Sequence, residues 1–464
     1  MNYIIYLTSK KEYGVKKEGG KRALKVFKNK KEAWDYAQSL ANKNNGKVVD
    51  QTILSSNKKK TKKSKKKIKK MILSFVVCFI LIPIFYLVAD HYGWLKKEEF
   101  IPIKPTAGVV YDDFQIHMMQ LGNNKNGDAI YIKAGENDIL IDAGVLDTTT
   151  IKNYMKGYIT DNKLEYLIVT HGDSDHIEGM VGSGKNPGIL DSYEIDTLID
   201  FSYTTKNLKT EKGNLTTYGE YVEKRDALVS NNKLKHFTAK DFFDNYQKSK
   251  GPISLGTDIE MEILWNKFYF EQSSDENNHS VVTRFRVKDR YYLLTGDLEK
   301  EGETAFVEHY KNDNMRVDFY KAAHHGSKTS SNDNFLNLIQ PSICAVSCSA
   351  GNSEYTANYL NVFPTQDFVT RIKKYTTQVY VTSNGMGDKE EKAINGNIII
   401  SSNGENTGVA STNDQNELKE LKDTEWFNMK IYVKEDNSFV SGKAKKDYFT
   451  KDTEGVKEVP FRTW

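Results

Sequence analysis

The middle of the chain alternates apolar and polar residues in short runs, with the two-residue period of half-buried β-strands. These runs predict strands at 116–121, 128–134, 138–144, 164–170, 193–200, 258–264, 280–287, 290–297, 345–350 and 378–383, and a strand followed by a turn within 318–331. Apolar residues at helical spacing predict helices at 149–156, 218–229, 299–309 and 368–374. Two sheets packed face to face with helices outside suit this order. We therefore predict an α+β fold, an αββα sandwich, over residues 107–408.

Residues 1–54 show a separate pattern. Strand-like runs at 3–9, 23–27 and 47–54 surround a helical pattern at 30–44 that ends at Asn45-Gly46. We predict a small cytoplasmic ββαβ module, similar to a family of short, uncharacterised bacterial domains. It lacks a cluster of catalytic residue types, so we interpret it as a charged interaction module whose protein partner the sequence does not identify.

Residues 55–70 form a predicted linker, because ten lysines between positions 58 and 70 cannot pack into a core. The next nineteen residues, 71–89, carry no charge, and a helix of that length crosses a hydrocarbon core of about 30 Å. We therefore predict one transmembrane helix in contact with membrane lipid. The lysines before it predict a single-pass bacterial cell-membrane protein whose N-terminus is cytoplasmic and whose following domain is extracellular.

The last segment, residues 409–464, is less informative. A short helical pattern near 417–423 and strand-like runs at 428–436 and 438–444 predict a small C-terminal β appendage. We expect its aromatic residues to pack it onto the preceding domain.

Charge is distributed unevenly along the 464 residues, whose net charge is +4. Residues 1–99 carry 24 Lys+Arg and 8 Asp+Glu, whereas residues 100–464 carry 42 and 54, a net charge of −12. An acidic body repels phosphate, so nucleic-acid binding would need a local basic groove, for which the candidates are Lys206, Lys209 and Lys212. The three cysteines have neither disulfide-framework nor zinc-finger spacing.

The strand at 164–170 leads into the stretch richest in reactive residue types. His171, Asp173, Asp175 and His176 lie within six positions after an apolar run. Side chains alternate along a strand and a turn can fold the next ones back, so such residues can converge on one point. Gathering two imidazoles and two carboxylates is costly unless a cation lies between them. The spacing therefore predicts a site for one or two divalent metal ions.

Five motifs resemble those of the metallo-β-lactamase superfamily, specifically the hydrolase domain of the DNA-uptake protein ComEC and its free-standing relatives. The resemblance covers about residues 113–402. Its motifs are GDAIYI with ILIDAG (127–144), THGDSDHIEG (170–179), NNHSVV (277–282), LLTGDLE (293–299) and HHGSKTSS (324–331). The many apolar segments of a DNA channel are missing, so we do not expect this chain to conduct uptake itself.

The resemblance implies a role for each matching residue of the principal motifs. His171 and Asp173 would hold one metal ion, and Asp175 and His176 would hold the second. Asp297 would bridge both ions. Asp175 would also orient the attacking water, so the implied catalytic residues are Asp175 and Asp297.

Further roles follow from the motif with two histidines. Either His324 or His325 would complete the second site; we favour His325, although the sequence does not choose. Asp142 would orient a ligand from outside the coordination sphere. Candidate phosphate contacts, for which a serine-rich turn is an equal alternative, are Ser327, Lys328 and Ser330.

Two departures from the family pattern concern the first metal site. Many members have a histidine where this chain has Asp173, although the ComEC branch has aspartate there. The third histidine of that site has no clear match, which leaves Asn277, Asn278 or His279 as candidates. An oxygen-rich first site favours Mn²⁺ over Zn²⁺, or a labile first metal.

The implied cofactors are two divalent ions, Zn²⁺ or Mn²⁺. Such a pair, about 3.5–4 Å apart, lowers the pKa of a shared water so that hydroxide attacks phosphorus at neutral pH. We therefore predict a membrane-anchored, outward-facing metallohydrolase, a phosphodiesterase acting on DNA or RNA. Two alternatives stay open: a phosphoesterase acting on a cell-surface polymer, and a non-catalytic binding protein on the same scaffold.

Overall fold

The computed structural model describes residues 1–52, 104–121, 125–352, 356–384, 394–413, 417–439 and 455–464. The chain forms two compact units, Met1–Glu99 and Phe100–Trp464. The predicted linker, 55–70, lies outside the described residues. The predicted domain boundaries therefore stay predictions.

The first unit contains a four-stranded sheet and one helix. The sheet has the spatial order β3-β2-β1-β4, with strands Tyr3–Leu7 (β1), Tyr13–Lys17 (β2), Lys25–Phe27 (β3) and Val48–Asp50 (β4). Helix α1, Lys30–Lys43, buries Ala33, Ala37 and Ala41 against the sheet. The prediction missed β2, because only two of its five residues are buried and lysines obscure the alternation.

The second unit is built on two larger sheets. The first has nine strands in the order β11-β10-β9-β8-β7-β6-β19-β20-β5. Its strands are Thr106–Ala107 (β5), Phe114–Met118 (β6), Ile130–Ala134 (β7), Asn137–Ile141 (β8), Lys163–Val169 (β9), Glu194–Asp200 (β10), Lys235–Thr238 (β11), Ile398–Ser402 (β19) and Thr407–Ser411 (β20).

The second large sheet has seven strands in sequence order. They are Ile253–Gly256 (β12), Ile259–Ile263 (β13), Thr283–Val287 (β14), Arg290–Leu294 (β15), Phe319–Lys321 (β16), Ile343–Ala350 (β17) and Val379–Asn384 (β18). The helices of this unit are Thr149–Met155 (α2), Ser174–Val181 (α3), Ile189–Ser192 (α4), Thr217–Ser230 (α5), Ala239–Phe242 (α6), Lys248–Lys250 (α7), Lys300–Tyr310 (α8), Asp333–Ile339 (α9), Gln366–Ile372 (α10) and Glu425–Asn428 (α11).

The two sheets pack face to face through one apolar core. Phe114 of the first sheet contacts Phe285 and Tyr292 of the second, with ring centroids 5.6 and 5.1 Å apart. A second core joins the seven-stranded sheet to α8, α9 and α10. The predicted α+β character, with more than one sheet, is therefore correct.

The transmembrane part of the predicted fold class is wrong. In the portion of the chain that the structure describes, no helix has the length and apolar character needed to cross a bilayer. The longest described helices, α1 and α5, have 14 residues each, which is about 21 Å at 1.5 Å per residue and short of about 30 Å. The predicted span, 71–89, lies outside the described residues. The predicted single-pass membrane localisation is corrected together with it.

The C-terminal segment forms a hairpin beside the second core. Strands Lys430–Lys434 (β21) and Val456–Pro460 (β22) pair antiparallel, and the Trp426 and Phe461 rings lie 4.9 Å apart within that core. The predicted strand at 438–444 lies mostly outside the described residues, and β20 crosses the predicted boundary at 408/409.

Parallel pairing brings the motif residues to one edge of the two sheets. Strands β8, β9 and β10 run parallel in the first sheet, as do β15 to β18 in the second. Their carboxyl ends lead into Asp142, His171, Asp297 and His325. Loops at this edge are the usual location of binding sites in sheets of this kind.

Candidate metal centre

Three buried histidines converge at this edge, and each has its Nδ1 atom held by a neighbour. The Nδ1 atom of His176 lies 2.7 Å from Asp142 Oδ2, and His325 Nδ1 lies 2.7 Å from the carbonyl oxygen of Ser347. A carbonyl only accepts hydrogen bonds, so His325 Nδ1 carries the proton. In neutral His325 the Nε2 atom therefore has the free lone pair, as a metal ligand requires.

The same reasoning fixes His171. Thr170 Oγ1 donates to Asp142 Oδ2 at 2.6 Å, so its lone pairs remain to accept from His171 Nδ1 at 2.9 Å. Asp142 also accepts from the Thr170 backbone N–H at 2.8 Å. The fully buried Asp142 carboxylate thereby orients His171, through Thr170, and His176 together.

Two carboxylates approach the histidine Nε2 atoms. Asp297 Oδ2 lies 3.2 Å from Nε2 of both His176 and His325, and Asp175 Oδ2 lies 3.5 Å from His325 Nε2. Within the part of the chain that the structure describes, four combinations have ligand atoms within 4.8 Å of one another: His171, His176 and Asp297; Asp175, His176 and His325; Asp128, Asp297 and His325; and Asp128, Asp142 and His176.

These donor atoms fit divalent metal ions. Among the described residues, the buried Nε2 atoms of His171 and His325 have no hydrogen-bond partner. A buried lone pair that faces carboxylate oxygens is repulsive unless a cation or a proton lies between them. Mixed imidazole and carboxylate ligands suit Zn²⁺ and Mn²⁺. Asp175, His176 and His325 with Asp297 would hold one ion, and His171 with His176 and Asp297 offers a second, overlapping set.

The electrostatics of the cluster point the same way. Burial raises the pKa of Asp297, but the charges of His325, His176 and Lys321 outweigh it and hold that pKa well below its usual range. Burial lowers the pKa of His325, yet Asp297 and Asp175 raise it to about 10. The carboxylates thus stay ionised and attract positive charge at the Nε2 atoms.

Two predicted metal ligands lie outside all four combinations. Asp173 forms an ion pair with Lys206, and its Oδ2 atom lies 3.4 Å from His171 Nε2. Burial raises the pKa of Asp173, but His171 and Lys206 lower it to about 2. His324 instead pairs with the Glu299 carboxylate through Nδ1.

His279 is turned into the protein. Its Nε2 atom accepts from the Ser273 backbone N–H at 3.0 Å, and its Nδ1 atom lies 3.6 Å from Glu276 Oε2. Glu276 in turn accepts from the Gly172 and Thr205 backbone N–H groups at 2.8 and 2.5 Å. Glu276 thereby connects the loop that contains Thr205 to the loop that contains Gly172, in the motif at 170–179.

Two of the three candidate phosphate contacts line a cavity, and the third does not. Ser327 and Lys328 line a cavity of about 480 Å³ that also includes Asp175, Asp297 and His325. Lys328 Nζ donates to Oδ1 of Asn361, which also lines this cavity, at 2.9 Å. Ser330 is fully buried and donates to the Ala323 carbonyl oxygen at 2.8 Å, so it supports the turn and does not face the cavity.

Sequence reasoning missed four charged residues of this region: Asp128, Lys321, Glu276 and Glu299. Asp128 stands in the GDAIYI motif two residues before the start of β7, so its place beside a strand end was a usable signal. Lys321 ends β16, four residues before His325, and a lysine at a buried strand end was a second signal. No sequence pattern marked Glu276 and Glu299, since Gly172, Thr205 and His324, with which they interact, are distant in the sequence.

A family model for the metallo-beta-lactamase superfamily matches residues 122–349. This part of the chain belongs to that superfamily. A second model, described as an uncharacterized protein conserved in bacteria (DUF2188), matches residues 5–52. The predicted superfamily and the metal-dependent hydrolase class of the metallo-beta-lactamase domain are therefore confirmed.

Curated relatives extend this result. The chain is 26% identical to ComE operon protein 3 of Bacillus subtilis (strain 168) over 190 residues, 41% of this chain and 20% of that protein. It is 22% identical to exodeoxyribonuclease YycJ of Bacillus anthracis over 143 residues, 31% of this chain and 54% of that protein. The predicted ComEC-like resemblance is confirmed, although the chain spans only a fifth to about half of these relatives.

Among solved structures, the metallo-beta-lactamase fold protein YhfI from Bacillus subtilis is similar, with 11% identity and a TM-score of 0.35. The alignment covers 59% of this chain and 98% of YhfI. Members of the superfamily bind divalent metals, typically zinc, in agreement with the donor set at the sheet edge.

Proposed function

We propose that the metallo-beta-lactamase domain is a divalent-metal-dependent phosphodiesterase whose substrate is a nucleic acid. The observation that carries the proposal is the convergence of the Nε2 atoms of His171, His176 and His325 with the Asp175 and Asp297 carboxylates, beside an open cavity that Asp175, Asp297 and His325 line. The similarity to an exodeoxyribonuclease supports nucleic acid as the substrate class.

Each residue of the cluster has a definite part in this proposal. When bound, divalent ions would polarise the phosphoryl group and lower the pKa of a water molecule. Asp142 and the Ser347 carbonyl hold His176 and His325 with Nε2 facing the ions. Lys328 and Ser327 line the wall of the cavity, where they would contact the non-bridging phosphate oxygens.

The two ligand sets share His176 and Asp297. Because His176 Nε2 has a single lone pair, it would hold one ion only, and a second ion would depend on His171 and Asp297. The second ion is the more weakly held in this proposal, because Lys206 already neutralises Asp173.

A second cavity favours a polymeric substrate. It has a volume of about 480 Å³ and shares Asp173 and Ser174 with the metal cavity. Lys206 and Lys209 line it, together with Tyr218 near the start of α5. Ammonium groups and an aromatic ring beside a catalytic centre suit the phosphates and bases of a single strand. Lys212 is not among the lining residues.

Hydrolysis assays test the proposal. Purified full-length protein with Mn²⁺ or Zn²⁺ should hydrolyse bis(p-nitrophenyl) phosphate and cleave single-stranded DNA or RNA. Asp297→Asn should lower kcat by at least about 100-fold. The matched control is Asp289→Asn, at an exposed turn, which should retain full activity. If wild type and Asp297→Asn are equally inactive on every phosphodiester, the proposal fails and a non-catalytic binding protein takes its place.

A comparison of two lysine variants on two substrates tests the substrate class. Lys209→Ala should raise KM for an oligonucleotide by about 3–10-fold and leave bis(p-nitrophenyl) phosphate hydrolysis unchanged, because the small substrate does not reach the second cavity. Lys212→Ala, on the same loop, should change neither. Equal effects of the two substitutions on the oligonucleotide would argue against the second cavity as a binding path, and preference for a non-nucleotide polymer would redirect the substrate assignment.

A further inference from the structure

Lys321 is a fully buried lysine at the end of β16. Its Nζ atom donates to the Gly296 carbonyl oxygen at 2.9 Å, lies 3.2 Å from Asp297 Oδ1, and forms an ion pair with Asp128. Lysine is almost never fully buried unless it is paired. The carboxylates of Asp128 and Asp297 both lie within ion-pair distance of the Lys321 ammonium.

Lys321 divides the two oxygens of Asp297 between different partners. Oδ1 faces the ammonium, whereas Oδ2 lies 3.2 Å from Nε2 of both His176 and His325. The contact with the Lys321 ammonium therefore fixes the rotation of the Asp297 carboxylate. Only one of its oxygens is directed towards the histidines.

Lys321 also forms an ion pair with Asp128. The Asp128 oxygens lie 3.7 Å from His325 Nδ1 and 4.0 Å from His176 Nδ1, and Asp128 belongs to two of the four candidate ligand combinations. Both oxygens lack a hydrogen-bond partner of good geometry among the described residues, so the ammonium is the charge that compensates them. Asp128 is thus paired with Lys321, although its carboxylate lies close enough to His325 and Asp297 to share a metal ion with them.

We propose that Lys321 is a positioning residue and internal counterion: it holds Asp297 with one oxygen towards the metals and keeps Asp128 out of their coordination. This inference rests on the proposed function. It has an unusual consequence for a positively charged residue beside a cation site. Removing Lys321 removes a repulsive charge and frees two carboxylates, so metal binding should strengthen while turnover falls.

Lys321→Met in the full chain tests this directly. We expect Mn²⁺ to bind at least about tenfold tighter in competition with a chromophoric chelator. At saturating Mn²⁺, we expect kcat for bis(p-nitrophenyl) phosphate to fall by about 100-fold with KM nearly unchanged, because the lost positioning acts in the transition state. Lys163→Met, which removes a lysine from an exposed ion pair with Asp196, is the matched control and should change neither quantity.

A double variant covers the case in which Lys321→Met does not fold. Replacing both members of a buried ion pair by neutral groups is tolerated far better than replacing one. Lys321→Met with Asp128→Asn should therefore fold and bind Mn²⁺ within about threefold of wild type, yet keep the low kcat, because Asp297 Oδ1 still lacks its partner.

Two results would overturn the inference. Weaker Mn²⁺ binding together with lower kcat in Lys321→Met would make Lys321 a purely structural residue. Recovery of kcat in the double variant would show that only the charge balance matters. Because Mn²⁺ affinity is measured without turnover, absence of hydrolysis in wild type would refute the proposed function and leave the counterion role testable.

Discussion

His324 and His325 are neighbours in the sequence, but their side chains have different partners. Both have positive φ angles, of 45° and 52°, in the turn after β16, so the backbone reverses there and the rings diverge. His325 turns inward to Ser347, Asp175 and Asp297. His324 stays on the wall of the cavity beside Glu299.

This divergence predicts different consequences for two alanine substitutions. His325→Ala should weaken Zn²⁺ and Mn²⁺ binding by more than about 100-fold, since it removes a ligand, whereas His324→Ala should weaken it by less than about 10-fold. Titration calorimetry on both purified variants checks the difference. Similar losses in the two variants would contradict the assignment of His325 as the ligand.

Glu303 is a second residue whose environment has a measurable consequence. Burial raises its pKa from 4.5 to about 7, although Asn332 and Ser331 donate hydrogen bonds that favour the ionised form. The folded state therefore binds the proton more tightly than the unfolded chain does. Its contribution to stability is complete below about pH 4.5 and is lost as pH rises to about 7.

The corresponding prediction concerns the pH dependence of unfolding. Between pH 5 and pH 7.5, wild type should lose up to about 3 kcal/mol of unfolding free energy through Glu303, and Glu303→Gln should lack this component. Urea unfolding of both proteins across the pH range gives the difference directly. Parallel curves for the two proteins would show that Glu303 does not titrate there.

At the scale of elements, helix α3 holds Asp175 and His176 in place because it packs closely on the end of β8. Gly179 makes this approach possible: a Cβ atom there would lie 2.8 Å from the Ala143 carbonyl carbon and closer still to its oxygen. Ala143 N donates to the His176 carbonyl oxygen at 3.0 Å in the same contact. The helix that carries Asp175 and His176 is thus seated directly beside Asp142.

Gly179→Ala should therefore disturb both stability and metal binding. We expect a loss of about 1–3 kcal/mol in unfolding free energy from overpacking, and weaker Mn²⁺ binding because Asp175 and His176 move with the helix. Gly184→Ala, at a position with open space around it, is the control. A Gly179→Ala protein that matches this control in both measurements would contradict the close approach.

At the scale of the whole molecule, several buried carboxylates gather where the two sheets meet. Residues 100–464 have a net charge of −12, and Asp128, Asp142 and Asp297 are buried with Lys321 at the sheet edge. Buried carboxylates in excess of their counterions destabilise a fold. Metal ions that bind only the folded state should therefore contribute to its stability.

Chelation should accordingly lower the unfolding temperature. Mn²⁺ at 100 times its Kd should raise the unfolding free energy by about 2.7 kcal/mol, and excess chelator should reverse the gain. Calorimetry of wild type and His325→Ala checks this, since the variant should gain much less. An unfolding temperature that does not respond to metal would mean that the ligands do not bind ions in the folded state.

The sequence by itself determined most of the central strands, the order of the motifs, and the residues His171, Asp173, Asp175 and His176 as one group. These follow from local information, because side-chain period and spacing after a strand act within a few positions. The family resemblance added the expectation of two metals and of Asp142 as a supporting residue. Asp297 was assigned to the site only through the family resemblance.

Only the tertiary structure decided which charges meet. Asp128 precedes β7, Asp297 follows β15 and Lys321 ends β16, and their pairing depends on how the two sheets pack. The same holds for Lys206 on Asp173, and for His279, which is turned away from the metals by Ser273 and Glu276. Periodicity along a chain carries no record of partners more than a few residues away, since hydrogen bonds and ion pairs depend on distance in space.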